Sequence, residues 1–155
     1  MERIIPKLIP GVTKVKHLGE GSYGVIYRCI WEGEECVLKL PKIPTDQKEK
    51  EDFEEQFKNE VLFANECRGE GILDLKASYY GKHALLPTGI AYLIYAPVLD
   101  KTLSSFLSNS SKEEMHEMIR QVISILVRIN SLGWYHRDIH VENIMHKEGK
   151  WYLID

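Results

Sequence analysis

Between Trp134 and Asp155 the sequence reads WYHRDIHVENIMHKEGKWYLID, and it gathers His136, Arg137, Asp138, Asn143 and Asp155 into one short stretch. Gly133 stops a helix just before it, and the five-residue step from Asp138 to Asn143 fits no helix face. Ile144 and Met145, the turn Lys147-Glu148-Gly149 and the run 151–154 predict two strands joined by a tight turn. A loop carboxylate, a loop amide and a strand-end carboxylate are therefore expected to converge on one point. Oxygen donors of this kind suit Mg²⁺, which is held by one or two carboxylates together with substrate phosphates.

Other elements have to position such a cluster. Residues 12–18 predict a strand, followed by Gly19-Glu20-Gly21-Ser22-Tyr23-Gly24 and a second strand over 25–31. The spacing is G-x-G-x-x-G, but β-branched and aromatic residues follow the third glycine, so a strand and not a dinucleotide-binding helix comes next. Glycines in a strand–loop–strand hairpin let the backbone approach phosphates closely. Glu32-Gly33 turns the chain into a third strand, 34–40. There alternation places Val37 and Lys39 on one face and Cys36, Leu38 and Leu40 on the other. An inward lysine is costly unless it is paired.

Pro41 and Pro44 end that strand, and 45–68 predicts a helix. Phe53, Phe57, Val61 and Ala64 form a stripe on it that would lie against the sheet, with Glu60 flanking the stripe. Residues 73–80 and 90–95 complete five antiparallel strands, connected through 81–89. A short helix over 102–107 follows. Ser111-Lys112-Glu113-Glu114 then fits a capping box opening a long helix, whose apolar stripe is Met115, Met118, Ile119, Val122, Ile125, Leu126 and Ile129. His116 reads as a surface residue.

The bulk numbers narrow the field. The chain has 155 residues, 44% hydrophobic and 28% charged, with a net charge of −3. That length suits one ordinary domain with a real core. The charge argues against a broad nucleic-acid-binding surface, and no apolar run is long enough to span a bilayer. Residues 1–10 lack the apolar core and cleavage site of a secretory signal, so a cytoplasmic location is expected. Cys29, Cys36 and Cys67 are odd in number and widely spaced, which predicts buried free thiols in a reducing compartment.

The stretch His136-Arg137-Asp138-Ile139 with Asn143 resembles the catalytic loop of eukaryotic-type protein kinases, H-R-D-L-x-x-x-N. The resemblance extends along the chain, through the glycine-rich hairpin, C-V-L-K ending at Lys39, FKNEVLFANEC around Glu60, and Asp155 at the place of the D-F-G aspartate. It implies an α+β, protein-kinase-like fold, with a five-stranded antiparallel sheet and αC helix, then a partial, mostly helical C-lobe. Residues 1–95 would be the N-lobe, 96–98 the hinge and 99–155 the start of the C-lobe.

The resemblance also implies roles. Asp138 would accept the proton of the substrate hydroxyl, and Asn143 and Asp155 would hold Mg²⁺. Lys39 would contact the α/β-phosphates of ATP. Glu60 would be its partner, with Glu54 and Glu55 as alternatives because helix register is open in sequence. Gly19, Glu20, Gly21, Ser22, Tyr23 and Gly24 would cover the phosphates. Backbone groups of Ala96 and Val98 would bind the adenine edge. Leu18, Ile26 and Val37 would form an apolar roof over it, Met145 its floor, and Tyr95 would occupy the gatekeeper position. The implied reaction is transfer of the γ-phosphoryl group to Ser or Thr hydroxyls of a protein substrate.

Two features depart from the family pattern. His140 stands where protein kinases of the serine/threonine class carry lysine. It would donate to the transferred phosphoryl group with a pH-dependent charge. Histidine there is also what aminoglycoside- or choline-directed phosphotransferases show, so a small-molecule kinase is one alternative. The chain stops at Asp155, without an activation segment, which reads as a truncated chain and makes an ATP-binding, pseudokinase-like scaffold the other alternative.

Overall fold

The structure is a computed structural model and describes residues 1–136 and 139–154, apart from the side chains of Lys101, Thr102 and Ser104. Arg137, Asp138 and Asp155 lie outside the described residues. The chain divides into two compact units. One comprises Met1–Leu62 with Leu75–Val98, the other Phe63–Asp74 with Leu99–Asp155.

In the first unit a short helix α1 (Ile5–Leu8) precedes β1 (Val12–Gly21), β2 (Gly24–Trp31), β3 (Glu34–Leu40), the helix α2 (Gln47–Glu66), β4 (Asp74–His83) and β5 (Leu86–Ala96). The strands form one antiparallel sheet in the order β1-β2-β3-β5-β4. Alternation decides what each face of it carries. Tyr27 and Cys29 on β2, Cys36 and Leu38 on β3, and Ile94 and Ala96 on β5 are buried in one cluster with Ile5 and Ile9. On α2, Phe53 and Phe57 both pack on Tyr80 of β4, at ring-centroid distances of 5.3 and 5.7 Å. Phe53 and Phe57 of the expected helix stripe thus lie on the sheet.

Two differences from the sequence reading have physical causes. The glycine-rich segment is mostly strand, since Gly21 and Gly24 are paired and only Ser22 and Tyr23 turn the chain. The segment 81–89, expected as a connection, is also mostly strand, because β4 reaches His83 and β5 begins at Leu86. The close approach of the two backbones there explains Gly89, where a Cβ would sit 2.5 Å from the Gly81 carbonyl oxygen, while one on Gly81 would meet the Tyr79 hydroxyl at 2.8 Å. Glycine as punctuation misled; here it marks two strands pressed together.

β1 is an edge strand. Its register with β2 shifts between Thr13 and Lys16 and again between His17 and Gly19, and Lys14 has φ of 50°.

The second unit holds a three-stranded sheet in the order β6-β7-β8, from β6 (Lys101–Thr102), β7 (Ile144–Lys147) and β8 (Lys150–Leu153). It also holds α3 (Leu103–Leu107) and the long helix α4 (Lys112–Ser131). Ser111 caps α4, accepting from the Glu114 amide at 3.2 Å, while the Glu114 carboxylate accepts from the Ser111 amide at 3.2 Å. The far end closes at Gly133, where φ is 87°. The Gly133 amide donates to the Asn130 carbonyl and the Trp134 amide to the Ile129 carbonyl, both at 3.0 Å, which is a Schellman close.

Met118, Val122, Ile125 and Ile129 bury one side of α4 against Ile144, Trp151 and Leu153. Ile119, expected in that stripe, is exposed instead, because a 100° step carries it past the contact face. Gln121 of α4 ties down the β7–β8 hairpin. Its side chain accepts from the Trp151 amide at 2.9 Å and donates to the Gly149 carbonyl at 3.1 Å.

All three cysteines are buried and free. Burial pushes the Cys29 thiol up to about 11, with neighbouring Cys36 adding to the effect. Cys36 and Cys67 are also raised, chiefly by burial. Among the described residues no helix is long and apolar enough to cross a membrane.

Candidate functional site

In the first unit, Lys39 lies on the sheet face opposite the buried cluster. Its ammonium meets a carboxylate there. Lys39 Nζ donates to Glu60 Oε1 at 2.8 Å, with the lysine side chain 13% exposed and the glutamate 33%. Helix phase makes this choice. Glu60 stands three residues after Phe57, which packs on the sheet, whereas Glu54 points outward and pairs with Lys58 at 3.3 Å. The register that sequence leaves open is thus fixed in favour of Glu60. A second donor reaches the same oxygen: the Tyr95 hydroxyl of β5 donates to Glu60 Oε1 at 2.7 Å.

The sheet register accounts for that meeting. Val37 is opposite Tyr95 and Lys39 opposite Leu93, so these four side chains share a face. Ile26 on β2 is opposite Lys39 from the other side, and Val37 is opposite Arg28. Ile26 and Val37, expected as apolar roof, are half-buried, while Leu18 is 51% exposed. Ala96 and Val98 are buried.

Within the glycine hairpin the three glycines are not equivalent. A Cβ on Gly19 would meet only the Tyr23 hydroxyl, at 3.9 Å, an ordinary contact. A Cβ on Gly21 would come within 2.7 Å of the edge of the Tyr23 ring, a side chain and not backbone. On Gly24, where φ is 121°, it would come within 2.2 Å of the Leu40 carbonyl oxygen. Gly24 is therefore required by the backbone passing beneath it, and Gly19 and Gly21 leave the exposed tip free of bulk. Glu20, Ser22 and Tyr23 are exposed along it.

In the second unit the residues after the helix stop are organised through the main chain. The His136 ring Nε2 lies 3.0 Å from the Ile154 carbonyl oxygen. The Ile154 amide donates to the Asn143 carbonyl and the Asn143 amide to the His140 carbonyl, both at 2.9 Å. Val141–Asn143 form one 3₁₀ turn, capped by His140, whose Nδ1 accepts from the Glu142 amide at 3.2 Å. Asn143 is the buried polar residue among the described residues of this unit, 9% exposed, and Met145 is half-buried on β7. The sequence-derived roles for Asp138 and Asp155, and the expected place of Arg137, fall outside the described residues.

These donor sets suit the groups that the sequence reading implies. A shielded ammonium beside an uncluttered glycine hairpin suits a polyphosphate. An amide oxygen at Asn143 is the hard donor that Mg²⁺ takes. Among the described residues no cluster of three His, Cys, Asp or Glu side chains forms a metal site of its own.

Sequence reasoning missed two sets of contacts. The Tyr95 hydroxyl on Glu60 follows from carrying the alternation of β3 across to β5. In the other, Arg128 of α4 donates to the carbonyls of Cys67 at 2.8 Å, Arg68 at 3.3 Å and Glu70 at 2.6 Å. No side-chain pattern signals that one, because its partners are main-chain oxygens.

Comparison with known proteins gives a consistent picture. A family model described as "Protein kinase domain" matches residues 12–155. "Serine/threonine-protein kinase 4 homolog A" of Dictyostelium discoideum is 30% identical over 149 residues, covering 92% of this chain and 30% of that protein. "Serine/threonine-protein kinase cst-1" of Caenorhabditis elegans is 28% identical over 131 residues, covering 84% and 25%. "Calcium-dependent protein kinase 27" of Arabidopsis thaliana is 24% identical over 149 residues, covering 92% and 30%. The chain thus spans between 25% and 30% of the length of these relatives.

Proposed function

The chain belongs to the protein kinase domain family, and from that premise we propose that it binds ATP with Mg²⁺ and serves transfer of the γ-phosphoryl group to Ser or Thr hydroxyls of a protein. The observation that carries the reading is the Lys39–Glu60 pair, an ammonium shielded on the sheet and aimed by a helix carboxylate. The printed names of the relatives support a Ser/Thr acceptor.

In this reading residues 1–95 are the N-lobe, 96–98 the hinge and 99–155 belong to the C-lobe. Lys39 neutralises the α/β-phosphates and Glu60 keeps its head in place. Residues 19–24 close over the phosphates without side-chain bulk at Gly19 and Gly21. The Ala96 and Val98 backbone takes the adenine edge, and Leu18, Ile26, Val37 and Met145 supply apolar contact to the ring. Asp138 accepts the proton of the acceptor hydroxyl, Asn143 and Asp155 ligate Mg²⁺, and His140 donates toward the transferred group. When bound, Mg²⁺ neutralises phosphate charge; the protein's share is positioning and complementary charge. Three free, buried cysteines support residence in a reducing, cytoplasmic compartment.

Thermal melting of the chain with and without MgATP tests the reading. Saturating MgATP is expected to raise the melting temperature by several degrees, and Lys39→Met or Asp155→Asn to abolish the rise. An absent rise, or one of equal size in Lys39→Met, overturns the assignment. Assay of a longer chain against a Ser/Thr peptide and a panel of small alcohols separates protein from small-molecule acceptors.

A further inference from the structure

Glu60 is a long side chain on a helix, one-third exposed, and such a carboxylate has several rotamers open to it. A single donor on one oxygen leaves the rest of that side chain its torsions. Lys39 alone is therefore a poor means of fixing Glu60. The structure supplies a second donor. Tyr95 reaches the same Oε1 from β5, at 2.7 Å against 2.8 Å for Lys39. The two donors come from adjacent strands of one sheet, in a register set by the Val37–Tyr95 and Lys39–Leu93 pairs. A phenol turns about only two torsions, so its hydroxyl is placed by the strand that carries it.

We propose that Tyr95 is a positioning residue for the Lys39–Glu60 pair: its hydroxyl anchors the Glu60 carboxylate to the sheet, so that Lys39 meets a stationary partner. The role is distinct from any contact of the ring with a ligand, because it acts through the hydroxyl and through Glu60. Its consequence for nucleotide rests on the kinase reading; its consequence for Lys39 does not.

The test uses the full chain as Tyr95→Phe, as Glu60→Met and as the double variant, after circular dichroism has confirmed folding of each. The acetylation rate of the Lys39 amine by a water-soluble acylating reagent is read by mass spectrometry and normalised to exposed Lys58. Loss of a hydrogen bond to a charged group is expected to raise the Lys39 rate about tenfold in Tyr95→Phe. In the Glu60→Met background the same change is expected to alter it less than about twofold, because the carboxylate through which Tyr95 acts is gone. An unchanged rate in Tyr95→Phe overturns the proposal, as does an equal increase in both backgrounds, which marks a packing role for the ring.

MgATP affinity of the same variants is expected to fall about tenfold in Tyr95→Phe, in parallel with the acetylation result. If the unaltered chain binds no MgATP while the acetylation pattern appears, the kinase reading fails and the anchoring role of Tyr95 stands.

Discussion

Two sets of polar contacts, one in each unit, are built by different means. In the first unit the Glu60 cluster joins side chain to side chain: Lys39 and Tyr95 both donate to the Glu60 carboxylate. In the second unit three side chains hold the main chain. Arg128 donates to three carbonyls, Gln121 bridges an amide and a carbonyl of the β7–β8 hairpin, and His136 addresses the Ile154 carbonyl. The first arrangement depends on which residues occupy a few positions. The second depends on where the backbone runs.

Substitutions that attack backbone placement should therefore cost stability, and those that attack the Glu60 cluster should mainly cost function. The largest loss is expected from Gly24→Ala, which sets a Cβ within 2.2 Å of the Leu40 carbonyl oxygen at a φ of 121°. About 3 kcal/mol or more should disappear in urea unfolding. A loss under about 1 kcal/mol would mean that β2 and β3 yield more readily than their packing indicates.

Arg128→Met comes next. It keeps the aliphatic stem but leaves the carbonyls of Cys67, Arg68 and Glu70 without this donor, at a cost of about 2 kcal/mol. Amide exchange should accelerate in residues 67–72 and in α4 and stay unchanged in β1–β3. Equal acceleration in both units would erase the contrast.

The smallest effect is expected with pH, and it belongs to the first unit. The Cys29 thiol, ordinarily near 9.0, is held at about 11 in the fold. The unfolded chain therefore loses this proton first as pH rises, so stability is intact below about pH 9 and declines toward pH 11. By pH 10 the loss should be roughly 1 kcal/mol and should shrink in Cys29→Ala. A flat profile between pH 9 and 10.5 would show that the thiol is reached by water.

The same contrast explains what could be read in advance. Lys39 and the Phe53/Phe57 stripe announce themselves because strands alternate and helices repeat. Ser111 and Glu114 announce a cap for the same reason. Glu60 comes with the family resemblance, with Glu54 and Glu55 left open, and only the fold chooses among them. Arg128 gives no such signal, since every residue carries a carbonyl and only the path of 67–70 decides which ones lie within reach. Gly81 and Gly89 were misread because glycine serves both turns and tight strand contacts. Ile119 was misread because it stands one 100° step round the helix from buried Met118, past the margin of the contact face. Asp138 and Asp155, which the family resemblance places at the chemistry, fall outside the described residues.

The irregular outer strand has one more consequence. With two register slips, a left-handed Lys14 and a second lysine, Lys16, on its length, β1 offers a passing extended chain no straight row of amides and carbonyls to zip onto. A border broken in this way discourages edge-to-edge stacking of one copy on another and the fibrous deposits to which that leads.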